Sequence, residues 1–492
     1  MKCIIDGFRK SAQEFPDKIL LITEDKQYTY GDFLIYCYSI SMELKKRGVR
    51  KGERVAIVLD KYDEFYGALL AVWQLGGVVV PLNVTLNDSQ LQNLIDRSGS
   101  KFLITANVMS RELKTTTAID IEEISITAEE PPYNDKLAAA ELAAIMFTSG
   151  TTGMPKGVCQ TYFAQCENVA MTAQALELTP EDRVFINTPP YFTSGLSHFL
   201  TMLAVEGSLV GIKRFYFGGD LLEALENYEC TGFGGAPVHL NRVVETLAEP
   251  YANSRVAFWM SSGDYLPSSA VKKAKTLLPN VKLFNVYGLT EVAGRFCVLH
   301  PRWIEEKCGS VGRPMGHMKA TIRDENLNEV SPYEVGEVFA QGTLLMEGYL
   351  DNAELTGKAL TKFGFSTGDF GYMDKDGFIW LEGRRDDIFK RAGEKVSTNQ
   401  IKQALTTLEM IDDAAVIAVD DDFTGKEPVA FVVIKQGGTV RSVLIRKELK
   451  KILPQTHIPA QILFVECIPR TGSGKVIKAE LLKMLNINKG DA

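Results

Sequence analysis

The side chains best suited to chemistry in this chain lie in a loop of glycines and hydroxyl groups. Residues 148–157 read Thr-Ser-Gly-Thr-Thr-Gly-Met-Pro-Lys-Gly, directly after the apolar run Ala144–Phe147, which predicts a buried strand. Glycines let backbone N–H groups approach a phosphate closely, hydroxyl groups donate further hydrogen bonds, and a lysine balances the charge. The pattern predicts a polyphosphate site, with an ordinary solvated glycine turn as the alternative. The spacing is not that of a Walker A loop. The candidate residues are Thr148, Ser149, Gly150, Thr151, Thr152, Gly153 and Lys156.

Four more motifs follow this loop at intervals along the chain. They are Asn285-Val286-Tyr287-Gly288-Leu289-Thr290-Glu291, Ser366-Thr367-Gly368-Asp369, Gly383-Arg384-Arg385-Asp386-Asp387 and Pro469-Arg470-Thr471-Gly472-Ser473-Gly474-Lys475. Each motif is weak alone, but the five in this order resemble the acyl-adenylate-forming superfamily. That superfamily includes acyl-CoA synthetases, 4-coumarate:CoA ligases, adenylation domains of peptide synthetases and beetle luciferases. The resemblance spans nearly the whole chain, from Tyr28 to Lys475.

The resemblance implies a reaction in which a carboxylate attacks the α-phosphorus of ATP, giving an acyl-adenylate and pyrophosphate. Because the transition state spreads negative charge over phosphate and carboxylate oxygens, positioning and cations supply most of the catalysis. The family pattern implies that Lys475 bridges the acid and the α-phosphate and that Thr290 holds the phosphates. It also implies that Glu291 binds Mg²⁺, for which a carboxylate is a suitable hard ligand.

The same resemblance assigns the remaining nucleotide contacts. Tyr287 would pack on the adenine, Asp369 would accept from the ribose hydroxyls, and Arg384 would donate to the same ribose. Asp264 replaces a small residue common in acyl-CoA ligases, and it would contact adenine or the acyl pocket, or cap a turn. The further candidates in these nucleotide-binding segments are Gly263, Asn285 and Gly288.

The sequence motifs identify the acid substrate less well than they identify the nucleotide. Tyr191-Phe192-Thr193-Ser194 occupies the segment in which relatives that activate amino acids carry an aspartate for the α-ammonium group. Phe192 stands at that position, and a buried ammonium without a partner is costly. We therefore predict that Tyr191, Phe192 and Ser194 line a pocket for a non-amino acid. Phe192, Tyr162 and the segment 363–366 without tryptophan also depart from the patterns of aryl- and fatty-acid ligases, so the acid's identity stays open.

The second step requires a thiol, and no cysteine in the chain is an obvious nucleophile. We therefore expect an external thiol, either CoA or the phosphopantetheine of an acyl carrier protein. The resemblance places Lys390 and Gly393 in the segment that lines the pantetheine tunnel, where a glycine permits close approach.

Composition and length are those of a soluble globular protein of several domains. The chain has 492 residues, 45% of them hydrophobic and 24% charged. Its eight cysteines form no C-x-x-C pair and its five histidines are dispersed, which predicts a reducing cytoplasm and no zinc site. No targeting segment is visible. The longest apolar stretch, Ala68–Val80, is shorter than the roughly 20 residues of a membrane span and predicts a buried helix, a turn and a strand.

Charge is distributed unevenly along the chain. From Arg384 onward there are 18 Lys and Arg against 14 Asp and Glu, a net charge of +4, whereas the preceding residues carry 36 against 48, a net charge of −12. The basic portion could attract a phosphate-rich thiol such as CoA, or it could be the ordinary surface charge of a small domain. Neither portion has a pattern that indicates nucleic-acid binding.

The periodicity of apolar residues predicts three regions. Alternating helix and strand patterns predict an α/β fold with a large N-terminal domain of helix-covered parallel sheets in residues 1–383. Short alternating segments with frequent glycine predict a small barrel-like subdomain at 319–383. Residues 384–387 form a predicted hinge at Asp386, and 388–492 a mobile α+β domain that carries Lys475.

The leading hypothesis is an ATP-dependent ligase that joins a non-amino carboxylic acid to CoA. The alternatives are a ligase that loads a carrier protein or stops at the adenylate, a luciferase-like oxygenase that no feature requires, and a non-catalytic nucleotide-binding relative. The last is disfavoured because Lys475 and Asp369 are both present.

Overall fold

A computed structural model describes residues 4–106, 113, 117–131, 141–148, 155–213, 218–251, 255–391, 394–421, 423, 425–435, 440–470 and 476–490, with the backbone only of 386, 390, 394, 395 and 486–490. The helices are α1 Ile4–Glu14, α2 Tyr30–Lys46, α3 Tyr62–Gln74, α4 Asp88–Ser98, α5 Tyr162–Ala175, α6 Thr193–Ala204, α7 Gly219–Asn227, α8 Pro237–Thr246, α9 Ser268–Leu277, α10 Ala353–Ala359, α11 Thr398–Thr406, α12 Ser442–Leu449 and α13 Lys478–Gly490. The strands are β1 Ile19–Ile22, β2 Gln27–Thr29, β3 Arg54–Val58, β4 Val78–Pro81, β5 Phe102–Thr105, β6 Thr117–Asp120, β7 Leu142–Thr148, β8 Lys156–Thr161, β9 Arg183–Ile186, β10 Ser208–Gly211, β11 Gly232–Gly235, β12 Phe258–Ser262, β13 Lys282–Leu289, β14 Gly294–Leu299, β15 Arg313–Pro314, β16 Lys319–Arg323, β17 Gly336–Gln341, β18 Gly348–Tyr349, β19 Leu360–Thr361, β20 Gly364–Met373, β21 Ile379–Arg384, β22 Ile388–Arg391, β23 Glu394–Ser397, β24 Ile411–Asp421, β25 Gly425–Ile434 and β26 Gln461–Phe464.

Two mainly parallel sheets form the large N-terminal part of the protein. One has seven strands in the order β18-β8-β7-β4-β3-β5-β6, and the other has nine in the order β15-β14-β13-β12-β11-β9-β10-β1-β2. The inner strands pair in parallel and antiparallel pairs occur toward the edges. The predicted α/β architecture of parallel sheets covered by helices is confirmed.

Helix α3 lies in the interior rather than on the surface. All of its residues from Tyr62 to Gln74 are buried, as expected because its segment Phe65–Trp73 is apolar on every side. One buried cluster joins Val55 and Val79 of the seven-stranded sheet to Val184 of the nine-stranded sheet. The stretch Ala68–Val80 thus forms a buried helix, a turn and strand β4, as predicted. No helix in the described ranges has the length and apolarity needed to cross a bilayer.

A smaller antiparallel sheet follows the two large ones. Strands β16, β17, β20 and β19 pair in that order, with β21 added to β20. Its core also includes side chains of the large domain such as Val158 and Met171. The region at 319–383 therefore has the antiparallel strand pairing that its sequence predicts, and it packs against the large sheets.

The C-terminal residues have hydrophobic cores of their own. One cluster runs from Phe389 to Ile462 and a second from Ala415 to Leu485, and both draw only on residues beyond the predicted hinge. They cover the two faces of a three-stranded sheet, β24-β25-β26. The 3₁₀ turn Arg385–Asp387 connects β21 to this part of the chain.

Ion pairs join the C-terminal part to the large domain. Arg242 on α8 donates through both Nη atoms to the Asp412 carboxylate at 3.0 and 2.8 Å. Asp264 accepts from Lys402 Nζ at 3.0 Å and lies 3.4 Å from Arg470 Nη1. Lys435 Nζ lies 3.8 Å from Glu245. The described contact between the two parts therefore includes several ion pairs.

Candidate active site

The predicted site segments meet at one edge of the nine-stranded sheet. Strands β9, β11, β12 and β13 are neighbours and run in parallel. Their carboxyl ends lead into the segment at 187–193, into Gly263, and into the turn Thr290–Val292. The carboxyl edge of a parallel sheet is the usual ligand-binding edge in α/β proteins. Motifs that are far apart in sequence thus converge at one crevice.

Asp369 joins two other predicted nucleotide residues. The Tyr287 hydroxyl donates to the Asp369 carboxylate, and Arg384 Nε lies 3.2 Å from the other oxygen. The contact with Arg384 follows from strand register, because Asp369 on β20 and Arg384 on β21 are paired residues. The carboxylate is 6% exposed, whereas the Arg384 side chain reaches solvent.

The electrostatics of this cluster set the protonation of the two donors to Asp369. Burial raises the pKa of Tyr287, and the neighbouring Asp369 charge and hydrogen bond raise it further. The Asp369 charge likewise raises the pKa of Arg384. Tyr287 is therefore a neutral donor and Arg384 a permanent cation. The carboxylate between them is an acceptor held in a fixed position.

Glu291 lies in the turn after β13, where its carboxylate has a fixed orientation. The Tyr349 hydroxyl donates to Glu291 Oε1 at 2.9 Å. Lys156 Nζ lies 5.4 Å from the centre of the Tyr349 ring, within the range of a cation–π contact. One end of the glycine-rich loop is thus brought next to the predicted metal ligand.

Thr290 connects this turn to helix α6. Its hydroxyl lies 3.1 Å from the hydroxyl of Thr193, the first residue of α6, and its carbonyl accepts from Gln160 Nε2 at 2.6 Å. Thr193 belongs to the segment predicted to line the acid pocket. The predicted phosphate and acid sites are therefore adjacent.

The glycine-rich loop connects two paired strands. Thr148 at the end of β7 is the register partner of Lys156 at the start of β8, so the loop is closed at its base. The predicted strand before the loop is confirmed as β7. The predicted loop residues Ser149, Gly150, Thr151, Thr152 and Gly153 lie outside the described residues.

Two predicted nucleotide residues have clear roles within the protein. A Cβ at Gly288 would lie 2.3 Å from the Gly294 carbonyl oxygen, so only glycine permits the tight β13–β14 pair. Asn285 Nδ2 donates to the buried Ser310 carbonyl at 2.9 Å. Both residues shape the site from within, and their predicted contacts with nucleotide stay predictions.

The predicted acid-pocket residues lie at the start of α6. Tyr191 is buried, with its ring centre 4.8 Å from that of Phe192. Phe192 is the N-cap residue of α6 and packs against the main core. Ser194 lies in the first turn of the same helix and is partly buried. The segment predicted to line the acid pocket therefore presents aromatic side chains at the start of α6, and its role in acid binding stays a prediction.

Asp264 follows Gly263, whose φ of +93° favours glycine at this turn. The carboxylate accepts from the Tyr265 backbone N–H at 2.7 Å and from Lys402 of the C-terminal part. Burial raises the pKa of Asp264, but Lys402, the Tyr265 N–H and Arg470 together hold it below its usual value. The carboxylate thus links the two parts of the protein, and its predicted contact with nucleotide stays a prediction.

Sequence reasoning missed several side chains at this edge. Tyr349, Thr193 and Gln160 belong to none of the five motifs, and only the fold brings them to Glu291 and Thr290. Arg295, four residues after Glu291, was also missed. Its position next to a motif was a signal, but its burial depends on the packing of α6.

Four further predicted residues have little or no description in the structure. Gly393 and Lys475 lie outside the described residues. Lys390 lies on β22, which pairs with β23 on either side of Gly393, and its side chain is not described. Asp386 lies in the 3₁₀ turn Arg385–Asp387, at the predicted hinge, with its backbone only described.

Comparisons with known proteins agree with this arrangement. The chain is 28% identical over 480 residues to 2-succinylbenzoate–CoA ligase of Geobacillus sp. (strain WCH70), covering 97% of this chain and 96% of that protein. It is similar to o-succinylbenzoate CoA synthetase from Bacillus subtilis in complex with the acyl-adenylate intermediate OSB-AMP (TM-score 0.86, 27% identity, 96% of this chain and 97% of the other). It matches the same synthetase in complex with ATP and magnesium ion equally well (TM-score 0.86, 27% identity, 97% and 99%).

Family models cover most of the chain. The model of the AMP-binding enzyme matches residues 8–350, and that of the AMP-binding enzyme C-terminal domain matches residues 400–475. The predicted superfamily and fold class are confirmed. Tyr287, Asp369 and Arg384 contact one another beside the Thr290–Glu291 turn. Because one family model also matches more than half of the sequence, the chain belongs to the AMP-binding enzyme family.

Proposed function

We propose that this protein is an ATP-dependent ligase that activates 2-succinylbenzoate as its acyl-adenylate and transfers the acyl group to CoA. The main observation in support of ATP binding is the buried Asp369 carboxylate. It is held by Tyr287 and Arg384 next to the Thr290–Glu291 turn. The predicted activity, ATP-dependent ligation of an acid to CoA, is confirmed by the similarity to 2-succinylbenzoate–CoA ligases over nearly the full length. The identity of the acid is the proposal.

The residues of the crevice fit a nucleotide. Asp369 supplies a fixed acceptor for ribose hydroxyls, and the exposed Arg384 supplies donors to the same sugar. Tyr287 offers a ring face for adenine, and Thr290 with Thr148 offers hydroxyl donors to phosphates. Lys156 supplies a charge at the base of the loop. ATP would therefore lie along the carboxyl edge of β12 and β13.

The donor set also fits Mg²⁺. No group of three or more His, Cys, Asp or Glu suited to a metal occurs in the described ranges, whereas Mg²⁺ in nucleotide enzymes usually takes one or two carboxylates and completes its shell with phosphates and water. Glu291, oriented by Tyr349, would be that carboxylate. The ion would neutralise phosphate charge as the pyrophosphate leaves.

The thiol comes from outside the chain. Cys37, Cys159, Cys230 and Cys297 are buried, and burial raises the pKa of each thiol, which disfavours the reactive thiolate. Cys166, Cys308 and Cys467 belong to none of the site segments. CoA is the acceptor named for the relatives, and an acyl carrier protein has no support among them. We propose that the hairpin β22–β23, which carries Lys390 on β22, receives the pantetheine arm, and that Gly393 between the two strands in sequence permits its close approach.

The proposed division of the chain is 1–383 for the adenylation domain, 384–387 for the hinge at Asp386, and 388–492 for the mobile domain with Lys475. The separate hydrophobic cores beyond Phe389 support this division. So does the polar contact between the two parts, because ion pairs can break and re-form without exposing a large apolar surface.

Mass analysis of products tests the function. The protein is incubated with ATP, Mg²⁺ and 2-succinylbenzoate, with and without CoA, and pyrophosphate release is followed. We expect acid-dependent pyrophosphate in both reactions and the CoA thioester only with CoA. A thioester on a carrier protein but not on CoA would favour the carrier-loading alternative. No acid-dependent pyrophosphate with any carboxylic acid in a panel would contradict the assignment and favour a non-catalytic relative.

A further inference from the structure

The buried cation Arg295 has only neutral partners. Its side chain, on β14, is 7% exposed. Nη1 donates to Ser197 Oγ at 2.9 Å and to Thr201 Oγ1 at 3.1 Å, and Nη2 lies 2.9 Å from His198 Nδ1. Burial lowers the pKa of Arg295 to about 10, so the guanidinium is charged at neutral pH. Burial and the nearby Arg295 keep the pKa of His198 well below its usual value, so the imidazole is neutral and its Nδ1 accepts.

A buried cation without an opposite charge lowers the free energy of unfolding unless another interaction offsets this cost. A buried charge is normally paired with an opposite charge, because hydrogen bonds to neutral groups only partly replace hydration. None of the acidic side chains in the described ranges forms an ion pair with Arg295. The three contacts fix the orientation of the guanidinium and leave some of its five N–H donors for another partner. An anionic ligand would supply the missing charge.

The position of Arg295 indicates which ligand that is. Thr193, Ser197 and Thr201 are spaced four residues apart on α6 and therefore share one face of the helix. Thr290 contacts the first of them and Arg295 contacts the other two. Since a helix rises about 1.5 Å per residue, the cation lies roughly 6–12 Å along α6 from the turn where the acid is adenylated. This separation suits a second group on the same substrate.

A glycine in strand β11 leaves space for the His198 side chain of this cluster. A Cβ at Gly234 would lie 2.3 Å from His198 Cε1, so the imidazole packs directly against the backbone. Asn168 Nδ2 donates to the Arg295 carbonyl at 2.6 Å and fixes the strand that carries the guanidinium. The cation is therefore preorganised before any ligand binds, which lowers the entropic cost of binding.

We infer that Arg295 binds a second carboxylate of the substrate, the one that is not adenylated, and that it makes the enzyme select dicarboxylic acids over monocarboxylic ones. The inference rests on the proposed function and deepens it. A guanidinium pairs with a carboxylate through two parallel N–H···O bonds, which gives direction as well as charge. 2-Succinylbenzoate has two carboxyl groups separated by its ring and keto chain, and it matches this requirement.

The test compares the activity of the wild type and its variants on a dicarboxylic acid and two related monocarboxylic acids. The diacid is 2-succinylbenzoate, and the two monoacids are 4-oxo-4-phenylbutanoate, which lacks the ring carboxyl, and 2-butanoylbenzoate, which lacks the chain carboxyl. Pyrophosphate release is measured for the wild type, Arg295→Gln and Arg295→Lys. Arg323→Gln is the control, because Arg323 is also buried (9% exposed) and lies in the small antiparallel sheet.

We expect the wild type to activate the diacid at least about 100-fold better in kcat/KM than either monoacid, since a site built for a polar group discriminates strongly against its absence. Arg295→Gln should lower activity on the diacid to that on the better monoacid and leave the monoacid rate unchanged. Arg295→Lys should retain part of the preference, and Arg323→Gln all of it. Thermal stabilisation by the diacid without ATP should be lost in Arg295→Gln only.

A diacid-to-monoacid ratio that is the same in Arg295→Gln and the wild type would overturn the inference and leave the ligase function standing. If Arg295→Gln does not fold, equal rates of the wild type on diacid and monoacids would overturn it instead. If 2-succinylbenzoate is not a substrate, the proposed acid is wrong. A panel of carboxylic acids then decides about Arg295: activity confined to monocarboxylic acids contradicts its role, and activity confined to another dicarboxylic acid supports it.

Discussion

The side chains of the proposed ribose site depend on one another through charge. Asp369 is buried between a neutral phenol and a cation, and the fixed carboxylate has little freedom to turn away. An amide at this position would lose the charge and replace one acceptor oxygen by a donor. Since the Tyr287 hydroxyl and the Arg384 guanidinium both donate, such a change opposes both contacts.

Asp369→Asn should therefore weaken the use of ATP. A hydrogen bond to a charged group contributes about 1.5–3 kcal/mol, so kcat/KM for ATP should fall by roughly 10- to 150-fold. Asp374→Asn is the control, because Asp374 is also buried and pairs with Lys307 away from the crevice. Pyrophosphate release at varied ATP measures both. Equal losses in the two variants would mean that the effect is one of folding.

His239 gives a prediction about pH. Burial lowers the pKa of His239 to about 4, partly opposed by its hydrogen bond to the Ala236 backbone, whereas an unfolded histidine titrates near 6.5. The unfolded state thus binds more protons between these values. The contribution of neutral His239 to the free energy of unfolding is fully present above pH 6.5. It is lost as the pH falls toward 4, by up to about 3 kcal/mol.

Thermal unfolding between pH 8 and pH 4.5 measures this effect. The wild type should lose melting temperature in the acid range, and His239→Gln should lose less because glutamine does not titrate. His198 should contribute in the same direction, since burial also lowers its pKa. Parallel curves for wild type and variant would show that His239 is not the titrating group.

At the scale of elements, local sequence patterns were good predictors. The apolar run Ala144–Phe147 predicted strand β7, and the stretch Ala68–Val80 predicted part of the buried helix α3 and strand β4. These features depend on neighbours along the chain. The contacts between elements were not predictable, because Tyr349 and Glu291 are 58 residues apart and Arg242 and Asp412 are 170 apart. Their pairing depends on how the sheets stack.

The loop after β12 and helix α11 are held together by such an unpredicted contact. Asp264 pairs with Lys402 on α11 and with Arg470, which is also held by Asp413. Asp264→Asn should loosen the orientation in which Arg470 reaches the large domain. Partly exposed ion pairs contribute about 0.2–1 kcal/mol each, so the loss of both should lower adenylation by a factor of roughly two to thirty.

The two half-reactions measured separately test this prediction. Pyrophosphate release should decrease in Asp264→Asn, and thioester formation from preformed acyl-adenylate should not. Glu448→Gln is the control, because Glu448 pairs with Lys451 within the C-terminal part. A slower second step would mean that Asp264 also serves the thiol reaction.

At the scale of the whole molecule, the end of the chain returns to the crevice. Arg470 lies five residues before Lys475 and contacts Asp264, at the carboxyl edge of the nine-stranded sheet. The segment that contains the proposed catalytic lysine therefore follows a residue, Arg470, that lies beside the proposed nucleotide site. Its contribution is expected in the transition state, where negative charge is greatest.

Lys475→Ala should lower the rate of adenylation by orders of magnitude and leave thioester formation from preformed adenylate intact. Lys483→Ala is the matched control, since Lys483 is exposed and pairs only with nearby Glu480 among the contacts described. Pyrophosphate release and thioester formation are followed in each variant. Equal loss in both steps would indicate that Lys475 is structural or serves the whole reaction.

The ion pairs between the two parts make this contact sensitive to ionic strength. Charges at a partly exposed surface are screened over a Debye length of about 8 Å at physiological salt and about 3 Å at 1 M. Arg242, Asp412, Asp264 and Lys402 are all within reach of solvent ions. Salt should therefore weaken these contacts, and under the proposed movement of the C-terminal part the dissolved ions of the cell would help to set how long the enzyme stays in each orientation.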